Sequence, residues 1–427
     1  MNAEAPAQTR AVIVQRRLNR ERPTLDELES LAVSAAYNVV GRMEQVRERD
    51  PRYQIGSGKV EELAGLVKAK EAERIIFDND LKPLQAYNLA KETGVESIDR
   101  FQLILEIFAR RAATTEAKLQ IELAKQRYEL PRAKEKVKLA MRGEQPGFMG
   151  LGAYQVDVYF EAVKRQIHHI QAKLKTVGKK RGLHRKRRLE LGFSTISLAG
   201  YTNAGKSSLF NALAGESVRV GEGLFTTLST TTRAVSLSNK KVLLTDTVGF
   251  IDRLPITLIE AFHSTLEETI YSDLILLVVD VGEAPEDIER KLTVCLDTIQ
   301  AIGASGVPIV TALNKIDLLQ EGELHQKLGN LKGLAPNLVP VSALLRTNMP
   351  MLQQEMARYM KDYVKAAFSI PLKSQHAPFI SWLFGHADVR SIKYEVDGVH
   401  VVFEVVPWFA DKVRERVVEL GGTFEKI

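Results

Sequence analysis

The chain has a single cysteine, Cys295, in 427 residues. That excludes an internal disulfide framework and a cysteine-built zinc or iron–sulfur centre, and it fits a reducing compartment. Long apolar runs are missing too. The longest strongly apolar stretch, Leu274–Val279, falls far short of the ~20 residues that a bilayer crossing needs. The N-terminus, MNAEAPAQTRAVIVQRR, lacks the apolar core and small-residue cleavage site of a secretory signal. We therefore expect a cytoplasmic protein without a membrane span. Low-complexity tracts and internal repeats are also missing. Charged residues at 26% and hydrophobic residues at 45% match an ordinary globular chain. At roughly 150 residues per domain, the length suggests about three domains.

Charge is plentiful but unevenly placed. The net charge is +6, yet residues 101–190 hold 21 Lys plus Arg against 9 Asp plus Glu, so the remainder nets −6. Within 161–190 the imbalance is 11 to 2. Such a block suits a polyanion, above all nucleic acid. A solvated helix face is the plainer alternative. The candidate RNA contacts are Lys179, Lys180, Arg181, Arg185, Lys186, Arg187 and Arg188.

Residues 1–100 alternate strand-like and helical runs, which predicts a small α/β unit with a parallel sheet. Strand-like Val12–Val14, Val39–Val46 and Ile75–Phe77 are interleaved with helical Leu25–Tyr37, Val60–Lys70 and Leu84–Glu92, and Thr24 is a plausible N-cap. Residues 101–190 are helical. Phe160, Val163, Ile167, Ile170, Leu174 and Val177 recur at alternating spacings of three and four, the seam of a coiled coil. Upstream, Leu119, Leu123 and Leu130 share a face. Between the arms, Arg142–Gly152 is glycine-rich and broken by Pro146. The economical reading is an antiparallel basic hairpin with its tip at about 141–155, and the alternative is a plain interdomain coiled coil.

From 193 to 366 the pattern is doubly wound α/β, with strands at Thr195–Ala199, Val242–Thr245, Leu274–Val279, Pro308–Leu313 and Leu338–Val341. Residues 371–427 form a small α+β unit. In it Ile392–Val396 and Val399–Val405 flank the hairpin signal Asp397-Gly398, and a helix follows over Phe409–Leu420.

Gly200-Tyr-Thr-Asn-Ala-Gly-Lys-Ser207 has the GxxxxGK[ST] form of a phosphate-binding loop. It follows a strand and opens a helix, which is the context that gives the match weight. Lys206 is placed to neutralise the β- and γ-phosphates, and the Ser207 hydroxyl to coordinate Mg²⁺. Asp246-Thr-Val-Gly249 closes one strand, with Asp246 available to hold Mg²⁺ through water and the Gly249 N–H available to the γ-phosphate. Asn314-Lys-Ile-Asp317 closes another. The Asp317 carboxylate can accept from guanine N1–H and the 2-amino group, which adenine does not offer. Asn314 braces the base loop, the Lys315 stem covers the ring, and Ser342-Ala343 present a backbone N–H to guanine O6. These motifs resemble the GTPase superfamily.

Between them lies Leu224-Phe-Thr-Thr-Leu-Ser229. A threonine there can ligate Mg²⁺ only while a γ-phosphate is present, which makes a switch. Thr227 is preferred over Thr226 because Phe-x-Thr-Leu is the family-like spacing. The catalytic candidates are thus Lys206, Thr227 and Gly249, with Ser207 and Thr227 as Mg²⁺ ligands. The candidate GTP contacts are Gly200, Tyr201, Thr202, Asn203, Ala204, Gly205, Lys206, Ser207, Ser208, Phe225, Thr226, Thr227, Leu228, Ser229, Asp246, Thr247, Val248, Gly249, Asn314, Lys315, Ile316, Asp317, Ser342 and Ala343. Phe250 stands where Ras-like GTPases carry a water-orienting glutamine, so slow intrinsic hydrolysis is expected, completed by a partner or ion. K⁺ is one candidate ion, because Asn203 gives the GxxNxGKS form of several potassium-stimulated GTPases.

The chain resembles the HflX family of ribosome-associated GTPases over about residues 12–366. The resemblance is carried by Tyr53-Gln-Ile-Gly-Ser-Gly-Lys-Val-Glu-Glu-Leu63, Ile75–Asp80, Asp99-Arg100, Leu103–Arg111 and, most specifically, Thr115–Ala124. The loop Gly200–Lys206 and the segment Asp246–Phe250 also have the family's form. The resemblance implies GTP hydrolysis and nucleotide-dependent binding to the large ribosomal subunit, with the hairpin loop directed to the peptidyl-transferase region. Splitting of stalled ribosomes and subunit assembly are the two associated roles. The segment 147–157 departs from the bacterial GGxGxRGxGExQ-type loop, which bears on splitting more than on binding. A different class of function is an RNA-binding scaffold that keeps nucleotide as a structural ligand. A monomer is expected. The histidines suggest no metal site, since His168 and His169 are adjacent on a helix, His184 sits in the basic run, and Cys295 is expected in a core.

Overall fold

The fold is described from a computed structural model. It covers residues 8–427 apart from 142–157, 159, 179–193, 216–230, 238–239, 248, 254–257, 259–262, 361–363, 372–375, 385–386 and 396–397. The expected hairpin tip and the basic run at 179–188 therefore lie outside the described residues.

Four strands build the first sheet: β1 (Thr9–Arg17), β2 (Tyr37–Val46), β3 (Arg74–Phe77) and β4 (Glu96–Asp99). They are all parallel, in the order β2-β1-β3-β4. Ala11–Val14 and Ile75–Phe77 are completely buried, because helices cover both faces of such a sheet. These helices are α1 (Leu25–Ser34), α2 (Ser57–Ala69), α3 (Pro83–Thr93) and α4 (Arg100–Arg111). The helix expected over Leu25–Tyr37 is shorter than the sequence suggests. Ala36 takes φ +60°, and Tyr37 already opens β2, its hydroxyl donating to Glu106 at 2.7 Å. Asp99 starts α4 as an N-cap, accepting from the Gln102 N–H at 3.0 Å. The same carboxylate accepts from Tyr128, and so ties the middle of the next helix to this sheet.

That next helix is α5 (Thr115–Met141), and a second arm, α6, runs over 160–178. Leu123 packs with Val163, Ile167 and Ile170, flanked by Leu119, Leu130 and Leu174. The spacing read as a seam is the contact between the two arms. The opposite side of α6 leaves Arg165, Lys173 and Lys175 exposed.

The central sheet contains β5 (Ser194–Gly200), β6 (Thr231–Leu237), β7 (Lys240–Asp246), β8 (Leu274–Asp280), β9 (Ile309–Asn314) and β10 (Leu338–Pro340). Its order is β10-β9-β8-β5-β7-β6. Five strands are parallel, and β6 closes the edge antiparallel to β7. Helices α7 (Lys206–Ala214), α8 (His263–Ile270), α9 (Pro285–Ala301), α10 (Glu321–Leu331) and α11 (Met349–Ala357) accompany it. This is the expected doubly wound arrangement with one added edge strand.

The C-terminal sheet takes in β11 (Val364–Ile370), β12 (Asp388–Tyr394), β13 (Val399–Val405) and β14 (Thr423–Lys426), with helices α12 (His376–Phe384) and α13 (Pro407–Glu419). The chain order β-α-β-β-α-β and the sheet order β12-β13-β11-β14 make it a ferredoxin-like split unit. Two expectations change here. The residues from Val364 to 366, grouped by sequence with the preceding unit, belong to this sheet through β11. The strand expected at Ile392–Val396 starts earlier, at Asp388, and ends at Tyr394. The turn between β12 and β13 is closed by paired backbone bonds between Glu395 and Gly398.

Candidate GTP-binding site

The phosphate-binding loop leaves β5 in the middle of the central sheet, at the carboxyl ends of the parallel strands where such folds bind ligands. Its sequence is dictated by close approach. Gly200 has φ +146°, and a Cβ on it would lie 2.3 Å from the Val278 carbonyl oxygen of β8. Gly205 has φ +88°, and its Cβ would lie 2.2 Å from the Asn314 amide nitrogen. Asn203 is also left-handed, at φ +65°. Alternating hand of this kind curls the backbone N–H groups inwards, and α7 adds its own N-terminus at Lys206.

Lys206 is buried, its ammonium donating to the carbonyls of Tyr201 at 2.8 Å and Gly200 at 3.2 Å. Burial pulls its pKa down, and the Asp246 carboxylate partly offsets this. The Ser207 hydroxyl donates to Asp246 Oδ2 at 2.9 Å. A serine oxygen beside a buried carboxylate oxygen is the donor chemistry of a hard divalent cation such as Mg²⁺. Thr247 Oγ1 donates to the Leu198 carbonyl at 2.5 Å, and Gly249 lies directly over Lys206.

The residues expected to recognise the base converge from two strand ends. Asn314 is buried. Its amide donates to the Ala204 carbonyl at 2.9 Å, and its oxygen accepts from the Ala343 N–H at 3.0 Å. It thus links phosphate loop and base loop directly. Lys315 takes φ +69° and pairs with Asp280 at 2.6 Å. Ile316 and Asp317 begin a single 3₁₀ turn. The exposed Asp317 accepts from the Ser342 hydroxyl at 2.5 Å, which orients the carboxylate. Ser208 is half-buried on α7. Phe225, Thr226, Thr227, Leu228, Ser229 and Val248 lie outside the described residues.

Two residues sit differently from what their places in the motifs suggest. The Phe250 ring is buried in the core with Tyr201 and Leu266. The Tyr201 side chain turns away from the loop towards the N-terminal unit, donating to Glu27 at 2.9 Å. Sequence reasoning missed the junction this belongs to. Arg100 is buried and donates to Glu27 and Asp78, both at 2.8 Å, and to the Asp252 carbonyl at 3.1 Å. Arg253 donates to Asp78 at 2.7 Å. Burial works to raise the Asp78 pKa, but the two guanidinium groups outweigh it and hold the carboxyl below its usual range. Ile251 and Leu258 are buried in the core of the N-terminal unit. The Asp99-Arg100 pair was visible as a family-like motif, but not its ionic role. A cavity of about 860 Å³ lies at this junction rather than at the phosphate loop, lined by Arg16, Asp78, Arg100, Arg132 and Arg253 among others.

A strand-borne phosphate loop, braced by an asparagine to a base loop that ends in an oriented aspartate, defines the nucleotide site of a P-loop GTPase. Comparison with known proteins narrows the class. The family described as GTP-binding GTPase N-terminal matches residues 22–109, GTP-binding GTPase Middle Region matches 111–188, and 50S ribosome-binding GTPase matches 195–315. The GTPase HflX of Thermococcus kodakarensis is 48% identical over 319 residues, 75% of this chain and 72% of its own length. That of Methanocaldococcus jannaschii is 43% identical over 382 residues, 90% of this chain and 92% of its own. A crystal structure of a GTP-binding protein from Sulfolobus solfataricus in complex with GDP is 29% identical, covering 82% of this chain and 98% of that one, with TM-score 0.47. The chain belongs to the GTPase HflX family and is a GTP-binding, GTP-hydrolysing enzyme. Among the described residues no helix is long and apolar enough to cross a membrane, and no group of three or more His, Cys, Asp or Glu residues is placed to hold a metal ion.

Proposed function

We propose that this GTPase associates with the large ribosomal subunit in its GTP state and leaves it after hydrolysis, acting in the cytoplasm as a monomer, with splitting of stalled ribosomes as its task. The observation that carries the reading is the two-armed helix pair. Its apolar seam is used up internally, leaving a basic outer face that includes Arg165, Lys173 and Lys175 and continues in sequence into Lys179, Lys180, Arg181 and Arg185–Arg188. A basic two-helix rod suits a crevice in folded RNA better than a flat partner. The family description, 50S ribosome-binding GTPase, points the same way.

In this reading Lys206 neutralises the β- and γ-phosphates, Ser207 and Thr227 hold Mg²⁺, Gly249 offers its N–H to the γ-phosphate and Asp317 selects guanine. Mg²⁺ bound there screens the phosphate charge. Asn203 is a candidate ligand for K⁺, which would supply positive charge that Phe250 does not. The test is GTP turnover with and without purified large subunits. We expect subunits to stimulate the wild-type protein at least tenfold. Neutralising Arg185, Lys186, Arg187 and Arg188 together should abolish that stimulation while GTP binding persists. A wild-type rate that subunits leave unchanged would favour the scaffold or assembly reading instead.

A further inference from the structure

Phe250 has no polar atom beyond its backbone, and its ring is 1% exposed within the core. Any order that this segment imposes on an attacking water must therefore come from the backbone of Gly249 and Phe250. That backbone is held from both sides. The Phe250 N–H donates to the Gly200 carbonyl at 3.0 Å, and its carbonyl accepts from the Thr202 N–H at 2.8 Å. Two residues on, Asp252 is tied at three points. Its N–H donates to the Tyr201 hydroxyl at 2.8 Å, its carbonyl accepts from Arg100 at 3.1 Å, and its carboxylate accepts from Arg290 at 2.8 Å.

Tyr201 is the hub of this arrangement. It opens the phosphate loop, accepts from the chain that follows Gly249, and donates to Glu27 on α1 of the N-terminal unit. Its ring is 6% exposed, with the Lys291 ammonium 4.9 Å from the centroid. Ring and hydroxyl thus have one orientation, the hydroxyl donating to Glu27 and accepting from the Asp252 N–H, with the Arg290 guanidinium also bonded to it. Phenylalanine would fill the same space and lose all of these bonds.

We propose that Tyr201 is a positioning residue for GTP hydrolysis, its hydroxyl passing the docking of the N-terminal unit through Asp252 to the backbone of Gly249 and Phe250. The proposal rests on Gly249 as a γ-phosphate contact. Small displacements of groups that order a reacting atom cost rate rather than ground-state binding. The N–H of the half-buried Asp252 would also lose its partner.

The experiment uses the full chain with Tyr201→Phe, Glu27→Gln and the double variant, measuring steady-state GTP hydrolysis and GDP affinity. For Tyr201→Phe we expect kcat to fall about tenfold, with KM and GDP affinity within about twofold of wild type. Glu27→Gln should lose less, because its amide oxygen still accepts, and the double variant should be no slower than Tyr201→Phe alone. An unchanged kcat would overturn the proposal. So would a raised kcat, which would make the contact a restraint, and so would a matching loss of GDP affinity, which would make the hydroxyl a support for the loop. Gly249→Ala separates the two assignments. Normal turnover in that variant sinks the γ-phosphate reading itself, whereas slow turnover there beside normal Tyr201→Phe sinks only the role of Tyr201.

Discussion

Replacing Asn314 with alanine should damage nucleotide binding more than the loss of any base contact explains. The side chain lies at 2% exposure between two loops, donating to the Ala204 carbonyl and accepting from the Ala343 N–H. Alanine removes both bonds and strands one buried acceptor and one buried donor. Each unsatisfied group costs about 1–3 kcal/mol, and together we take about 2–4 kcal/mol. At about 1.4 kcal/mol per factor of ten, that is roughly a 30- to 700-fold effect, divided between GDP affinity and stability. Asn314→Asp should be no better, because a carboxylate cannot donate to Ala204 and would face its carbonyl oxygen. Fluorescent GDP titration and thermal unfolding, run on both variants, read the two shares. A GDP affinity within threefold of wild type and an unchanged melting temperature would refute the claim that Asn314 joins the loops.

Three further outcomes follow from named contacts. Asp78→Ala should destabilise the protein by about 3 kcal/mol in urea unfolding, because it removes one of the two carboxylates that pair with the buried Arg100. The depressed pKa of Asp78 means that its contribution to stability is complete at neutral pH and is lost as pH falls below its ordinary 3.8 towards the folded value. Wild type should therefore lose more stability than Asp78→Ala over that acid window. Gly249→Ala would put a methyl 2.7 Å from the Lys206 ammonium and 2.9 Å from Thr202 Cγ2, so GTP turnover should fall by at least tenfold, as measured by phosphate release. Asp317→Asn should shift preference from guanine towards xanthine nucleotides in competition binding, since the exchanged amide matches the altered base edge.

What could be read beforehand divides along physical lines. The phosphate loop, Asp246–Gly249 and Asn314–Asp317 were legible because each follows a buried strand and fixed spacing brings local chemistry together. The hairpin was legible because Val163, Ile167 and Ile170 repeat on one face. The edge strands β4, β6 and β14 were not. In β6 only Val235 and Leu237 are buried, which leaves little alternation to detect, and β4 and β14 are four residues each. The junction of Glu27, Asp78, Arg100 and Asp252 was hidden for another reason. Its members are up to 225 positions apart in sequence, and charged residues of this kind usually read as surface. Tyr201 shows the limit most clearly. Its place in the motif suggested a nucleotide contact, but only the fold reveals which way its hydroxyl turns.

In the proposed function, the nucleotide state of this GTPase governs its hold on the large ribosomal subunit. The direct measurement is co-sedimentation of the full chain with purified large subunits at physiological salt, with GDP or a non-hydrolysable GTP analogue. Binding that is strong with the analogue, weak with GDP and reduced by added salt is the predicted result. Equal sedimentation in both nucleotide states, or none in either, would contradict it.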